Sequence, residues 1–372
     1  MMEHCQGTDE KYRRFWISSV IDPVAELEEG YGLPNARVIR TLSGGMFAAP
    51  LLVETDGRRL VLRPHSFRNT SGSFQFQSEV IGHAAAAGHP CPRVLRRLDG
   101  TWGRRVGHVF WALYEYVDGA TMSWTAWADA KRTPAGRLET VAGMAANLHD
   151  LFRRWETIPA GSALRTALPP IQFRHLAACA RHAIGAANAA AAEQDRLPKT
   201  VGALADPAIP DAWGRLVEEA QGLGGRRLPR QIVHGDLSPV NLVWTSHRPE
   251  PYWIDWDCVH VGHRLYDALG DVLLRVDSSE AADARVDPDE ICRYVEAYSG
   301  ASNDPLGVQE RACVAMFLVA RQLEDLRQRC AVVATLPAER DAEYANLIRM
   351  RLSLIEQLRQ YSPWKGGTAP WM

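Results

Sequence analysis

The apolar positions of this chain change their period about a third of the way along. Between residues 36 and 117 they fall in short runs rich in β-branched and aromatic residues. "ARVIRTL" (36–42), "LLVET" (51–55) and "LVLRP" (60–64) each predict a strand, separated by the turn "SGGM" and the hairpin signal "DGRR". "SGSFQFQSEVIGHAAAAG" (71–88) predicts a helix, with Ser73 able to cap it, an Ala-rich body and Gly88 to end it. Pro90 and Pro92 break the chain, and "RVLRRLDGTWGRRVGHVFWALYEYV" (93–117) predicts two more strands around a Gly-containing turn. Residues 36–117 therefore read as a five-stranded antiparallel sheet with one helix inserted after strand three.

After Asp118-Gly119 the period becomes helical. "RLETVAGMAANLHDLF" (137–152) carries Leu138, Val141, Met144, Ala145, Leu148 and Leu151 at helical spacing. Residues 161–230 alternate Ala-rich helical stretches with Pro and Gly breaks, and 308–330 and 338–361 read as long amphipathic helices. A small β-hairpin, "QIVHGDLSPVNLVW" (231–244) with "PYWIDWDC" (251–258), is expected inside this helical half. The fold class is α+β. The organisation read from the pattern is a polar lead over 1–35 with a short helix at 23–29, a sheet-bearing lobe over 36–118, and a larger helical lobe over 119–372 that ends in a loose tail.

Composition narrows the classes. A chain of 372 residues can bury one large core or two lobes. A net charge of -2 with no basic block gives a nucleic-acid partner no support. No apolar run approaches the roughly 18 to 20 residues of a membrane span, and "MMEHCQGTDEKYRRFW" is polar where a signal peptide would be apolar. The seven Cys are scattered, with no C-x-x-C, as expected for reduced thiols in a cytoplasm. Lysine occurs only at Lys11, Lys131, Lys199 and Lys365, so arginine supplies almost all the positive charge. Nothing in the pattern speaks to oligomeric state.

The chemistry concentrates in the hairpin. Asp236 follows Gly235 on a tight loop, and Pro239 fixes the backbone before Asn241. A carboxylate on a rigid loop can take a proton from a substrate hydroxyl or hold it in line. Asn241 offers a neutral oxygen ligand and Asp255 a charged one, which suits Mg²⁺, a cation that takes few protein ligands besides water and phosphate. A lone Asp in a loop more often caps backbone N–H groups. The joint spacing of His-x-Asp, Asn five residues on and apolar-Asp-Trp after a short turn is far rarer.

"HGDLSPVN" followed by "WIDWD" resembles the catalytic loop and metal-binding Asp of the aminoglycoside phosphotransferase and choline kinase superfamily, whose fold is the bilobal protein-kinase-like one. The likeness extends over roughly residues 36–275. "TLSGGMFAAPLLVE" resembles the nucleotide-positioning loop, "LVLRP" the strand with the phosphate-contacting cation, "SEVIGHAAAAGHPCPRVL" the helix whose Glu pairs with that cation, "LYEYVDG" the hinge and "GHRLYDAL" the segment after the metal site. The resemblance implies an ATP-dependent, or GTP-dependent, transfer of the γ-phosphoryl group to a small-molecule hydroxyl: an antibiotic, as in resistance, a natural-product intermediate or a hydroxylated metabolite. It implies Asp236 as catalytic base or hydroxyl-orienting group, and Asn241 and Asp255 as holders of Mg²⁺ on the phosphates. His234 and Asp267 would brace the loop. Ser43, Gly44 and Gly45 would offer backbone N–H groups to phosphate, and Glu115, Tyr116 and Val117 would meet the base through backbone groups.

The chain departs from the family pattern in places. Arg63 stands where Lys is usual, with Glu79 as its implied partner. Arginine keeps the charge but adds a planar donor fork. Ala48 replaces a common Asn, and Asp257 reads as a second metal contact or a surface acid, with the surface reading favoured. Trp102, Trp111, Trp124 and Trp127 read as core. The insert over 161–230 holds more Arg than acids, which leans toward a neutral or anionic acceptor. Two other readings compete: a kinase of Ser or Thr in a peptide or protein, which the absence of H-R-D, D-F-G and A-P-E triplets opposes, and a catalytically silent nucleotide-binding module, which Asp236, Asn241 and Asp255 oppose.

Overall fold

Strands form where β-branched and aromatic residues alternate, and they meet in one antiparallel sheet of order β1-β2-β3-β5-β4. The structure is a computed structural model that describes residues 21–42, 50–65, 71–107, 109–130, 136–153, 228–276, 284–322, 350–351, 353–358 and 361. The strands are β1 (Arg37–Thr41), β2 (Leu51–Thr55), β3 (Arg58–His65), β4 (Arg104–Val106) and β5 (Val109–Glu115). Helix α1 (Pro23–Ala25) precedes β1 and runs into a π turn over Glu26–Gly30, and α2 (Ser71–Ala86) follows β3, as the pattern predicts. Gly88, with φ 85°, takes the left-handed turn just beyond α2. Of residues 93–98, only Val94 bridges the sheet, to Tyr114, so the fourth strand, β4, forms later than the apolar run begins.

Alternation decides what the sheet buries. Leu60 and Leu62 of β3, Val109, Trp111 and Leu113 of β5 and Val53 of β2 pack into one cluster with Ile21, Leu27 and Tyr31. The opposite face of β3 carries Arg63 and His65. Glu26 is buried and takes hydrogen bonds from Arg97 at 2.8 Å and Arg104 at 3.1 Å. The described part of the polar lead is thus fastened to the sheet rather than trailing from it.

Contacts gather the chain into two compact units. One holds the described residues of Met1–Thr121, Trp155–Leu168 and Asn241–Val259, the other those of Met122–Arg154, Pro169–Val240 and His260–Met372. In the second unit α3 (Trp124–Ala130) and α4 (Arg137–Arg153) precede β6 (Arg230–Val233). β9 (His260–His263) pairs antiparallel with β6 and leads into α5 (Arg264–Ala268). The strands β10 (Leu274–Val276) and β11 (Ala284–Val286) form a pair, α6 (Pro288–Ala301) packs along α4, and α7 (Val308–Ala312) is followed by a helix over 314–322. The long helix expected from 308 is thus broken at Cys313. Trp127 is fully buried and donates Nε1–H to Val272 O at 2.8 Å, and Trp111 is also buried. Trp102 instead lies partly exposed under the Arg96 guanidinium, 3.8 Å from its ring centroid. The Trp124 side chain lies outside the described residues.

The expected hairpin resolves into two pairings. β6 pairs with β9, while β7 (Leu242–Val243) pairs with β8 (Tyr252–Trp253). The β7–β8 hairpin belongs to the sheet-bearing unit, not to the helical one. Trp253 N–H donates to Pro90 O at 2.8 Å, and Ala120 and Trp244 exchange backbone bonds at 3.0 and 2.9 Å. A Cβ on Gly119 would lie 2.4 Å from Trp244 O, so this approach requires glycine.

Candidate active site

The hairpin register sets the placement of Asn241 and Asp255. Leu242 faces Trp253, and Ile254 N–H donates to Asn241 O at 3.0 Å, so Asn241 and the Ile254-Asp255 corner meet at one end of the β7–β8 ladder. Asp255 sits at φ 64°, ψ 62°, a left-handed conformation uncommon for a residue other than glycine. Such strain persists only where the surroundings over-determine it, and it gathers at functional sites. Here the carboxylate is caught directly: Arg63 NH2 donates to Asp255 Oδ1 at 2.6 Å.

Arg63 NH2 also donates to Asp257 Oδ2 at 3.1 Å. Asp257 is not a surface acid. Its Oδ1 bonds His65 Nδ1 at 2.9 Å and accepts from Gln77 Nε2 at 3.1 Å. Burial pushes the Asp257 carboxyl up, but His65 and then Arg63, with the hydrogen bonds from His65 and Gln77, hold it well below the usual carboxylate range. Burial likewise opposes the Arg63 charge, and Asp255 and then Asp257 outweigh it and raise its pKa. The expected Arg63–Glu79 pair is not formed. Glu79 accepts from Gln75 Nε2 at 3.0 Å, one turn back along α2. Helix geometry explains the difference: residues two apart stand roughly 200° apart around the axis, so with Gln77 aimed at Asp257, Glu79 points elsewhere.

The second unit builds the His-Gly-Asp loop. Asp267 is fully buried at the carboxyl-terminal half of α5 and accepts His234 N–H at 2.7 Å and Gly235 N–H at 2.9 Å. It also bonds His149 Nε2 at 3.1 Å, and His149 Nδ1 meets Tyr298 OH at 2.7 Å. Burial raises the Asp267 pKa, while the His149 hydrogen bond and charge and the loop contacts bring it well below the carboxylate range. Gly235, with φ 85°, makes the turn, and Asp236 N–H donates to His234 Nδ1 at 3.2 Å. The Asp236 side chain is half-buried, and Arg321 donates from NH2 to its Oδ1 at 2.7 Å and from NH1 to Gly235 O at 2.5 Å.

Other expected residues fare differently. Ser43, Gly44 and Gly45 lie outside the described residues. Glu115 ends β5, its N–H donates to Arg93 O at 3.0 Å, and its carboxylate bonds Arg93 Nε at 3.0 Å and NH2 at 2.6 Å. That amide is committed, and Tyr116 and Val117 follow beyond the strand. Spacing alone misses the pairing of Asp257 with Arg63, and it misses His65, Gln77, Arg321 and His149. One signal was available for His65, which shares a face of β3 with Arg63 at period two.

The donors fit magnesium better than a softer metal. Asn241 and Asp255 supply one neutral and one charged oxygen, and among the described residues no cluster of three His, Cys, Asp or Glu could hold a metal ion. No helix among the described residues is long and apolar enough to cross a membrane.

Known proteins share this fold. The model of the phosphotransferase enzyme family matches residues 38–310. A homoserine kinase of Methylocella silvestris is 26% identical over 226 residues, and the match spans 59% of this chain and 59% of that protein's length. A microcompartment-associated aminopropanol kinase superposes with a TM-score of 0.59 at 17% identity, over 93% of this chain and 98% of that one. A choline kinase from Cryptosporidium parvum Iowa II does so with a TM-score of 0.59 at 12% identity, over 93% and 97%. The spectinomycin phosphotransferase APH(9)-Ia aligns with a TM-score of 0.54 at 13% identity, over 90% and 97%. These superpositions show the α+β protein-kinase-like fold, and with the family model matched over well more than half its length, the chain belongs to the phosphotransferase enzyme family.

Proposed function

We propose that this chain transfers the γ-phosphoryl group of ATP, with GTP as the alternative donor, to a hydroxyl of a small molecule. The observation that carries this reading is the hairpin register that brings Asn241 beside a strained Asp255 whose carboxylate meets the Arg63 guanidinium. Asn241 and Asp255 would hold Mg²⁺, which when bound neutralises phosphate charge. Asp236 receives the acceptor hydroxyl. The acceptor oxygen bonds to the γ-phosphorus, the bond from that phosphorus to the bridging oxygen breaks, the nucleoside diphosphate leaves, and the hydroxyl proton passes to Asp236. The backbone of Ser43, Gly44 and Gly45 is assigned to the phosphates, and that of Tyr116 and Val117 to the base.

For the acceptor, the names of the relatives point to amino alcohols and antibiotics. The Arg-rich stretch over 161–230 leans toward a neutral or anionic acceptor rather than a polycationic one. Of the acceptors named, homoserine carries a carboxylate, so hydroxyl amino acids lead the list. The test is a transfer screen over hydroxyl amino acids, amino alcohols and antibiotics, with the phosphoryl adduct detected by mass. Asp236→Ala is expected to lower kcat by about 10²–10⁴ and to leave nucleotide affinity nearly intact. A variant that keeps more than about a tenth of the wild-type kcat overturns the role given to Asp236.

A further inference from the structure

Arg63 is anchored by one nitrogen only. Its NH2 group bonds both Asp255 Oδ1 and Asp257 Oδ2, and among the described residues neither Nε nor NH1 donates to any protein acceptor. The two carboxylates differ in how they are held. Among the described residues Asp255 is held by Arg63, whereas Asp257 is also gripped by His65 and Gln77. Those two are themselves fixed. His65 is fully buried, its Nε2 meets Tyr114 OH at 3.0 Å, and its ring lies 4.7 Å from that of Phe74. Gln77 is buried on α2. A chain of buried polar groups from Tyr114 through His65 therefore ends on Asp257, and Asp257 ends on Arg63.

We infer that Asp257, held by His65 and Gln77, is the residue that positions Arg63 toward the nucleotide phosphates, in place of the helix glutamate. This rests on the phosphotransferase reading for the identity of the anion. It also gives a physical reason for arginine on β3. A lysine ammonium is a single point donor, whereas a guanidinium can spend one edge on its anchor and present the other to a phosphate. Asp257 remains as the anchor when Asp255 is given over to the metal.

The test compares two ligands that differ in phosphate. Dissociation constants for ATP and adenosine are measured by calorimetry on wild-type and Asp257→Asn protein, with Mg²⁺ and with EDTA. Asp257→Asn is expected to weaken ATP about tenfold or more, the size of a lost charge-assisted contact, in both buffers, and to leave adenosine within about twofold. Glu79→Gln is expected to change the ATP-to-adenosine ratio less than Asp257→Asn does. Parallel loss of both ligands, loss of ATP in Mg²⁺ alone, no loss at all, or a larger effect of Glu79→Gln would each overturn the assignment. If Asp257→Asn does not fold, Gln77→Leu removes one neutral donor to Asp257 and is read by the same ratio, with a smaller fall expected and an unchanged ratio counting against it. A wild-type protein that binds neither ligand would remove the phosphotransferase reading itself, which separates that failure from failure of Asp257 alone.

Discussion

Arg321 shows how much one side chain can arrange. A single guanidinium takes the Gly235 carbonyl with one nitrogen and the Asp236 carboxylate with another, so it locks both the loop and the acid the loop presents. It sits on the helix after Cys313 and is itself buried beside Asp271, 3.9 Å away. Misplacing a reacting group by about 1 Å can cost about 10²-fold in rate. Arg321→Met is therefore expected to lower kcat by roughly 10- to 100-fold with the nucleotide KM little changed. Arg321→Lys should recover only part of the loss, because one ammonium cannot serve both acceptors in the same geometry. Steady-state kinetics against both substrates check this, and an unchanged kcat in Arg321→Met would remove Arg321 from the mechanism. Asp236 stands out as a candidate from its neighbours in sequence. Arg321 does not, because it reaches Asp236 from 85 residues away.

The element that matters most is the β7–β8 hairpin. Two short strands would be marginal alone, and the hairpin holds its place through backbone bonds to Ala120 and Pro90. Gly119 is the tightest of these contacts. Gly119→Ala would drive a Cβ into the Trp244 carbonyl, with Val243 and Thr245 side-chain atoms at 2.8 and 3.1 Å leaving no retreat. It is expected to cost about 1–3 kcal/mol, the range for an overpacked site, read by urea unfolding. Because Asn241 and Asp255 hang on this hairpin, the same variant should also lose nucleotide affinity more with Mg²⁺ than with EDTA. A fully stable Gly119→Ala protein would show that the chain at 119 yields and that the close approach is not obligatory. The turns and strands of the hairpin were readable from Gly, Pro and apolar spacing. Its place with the sheet was not, since the bonds that decide it join residues far apart in the chain.

At the scale of the molecule, each compact unit holds an aspartate whose carboxyl is kept well below the usual range, half-buried Asp257 in one and buried Asp267 in the other. Both carboxyls lie below their unfolded value, which is about 3.9 for Asp. As acid is added, the unfolded chain therefore takes up these protons first. The stability these groups contribute is fully present above the unfolded pKa and is lost as the pH falls from there through the folded values. Urea unfolding should give a free energy that declines below about pH 4. Asp267→Asn, which lacks the titrating group, should decline less steeply over that window even though it starts lower, having lost one of the acceptors for His234, Gly235 and His149. A slope equal to wild type would mean that Asp267 titrates normally in the fold.

The sequence by itself determined the first three strands of the sheet, helix α2 and the turn at Gly235, and it singled out Asp236, Asn241 and Asp255 as candidates. Each of these depends on short-range physics: side-chain period, the conformations open to Gly and Pro, and spacing within one loop and the next. The tertiary structure alone decided which acid meets which base. Arg63 reaches Asp255 across 192 positions and Gln77 reaches Asp257 across 180, and no local rule distinguishes Glu79 from Asp257 as the partner of a cation on β3. That choice follows from which face of α2 turns toward the β3 cation and from where the Asp255 corner carries Asp257. Both are settled only when helix, sheet and hairpin pack together, because a buried charge is stable only beside the partner that packing brings to it.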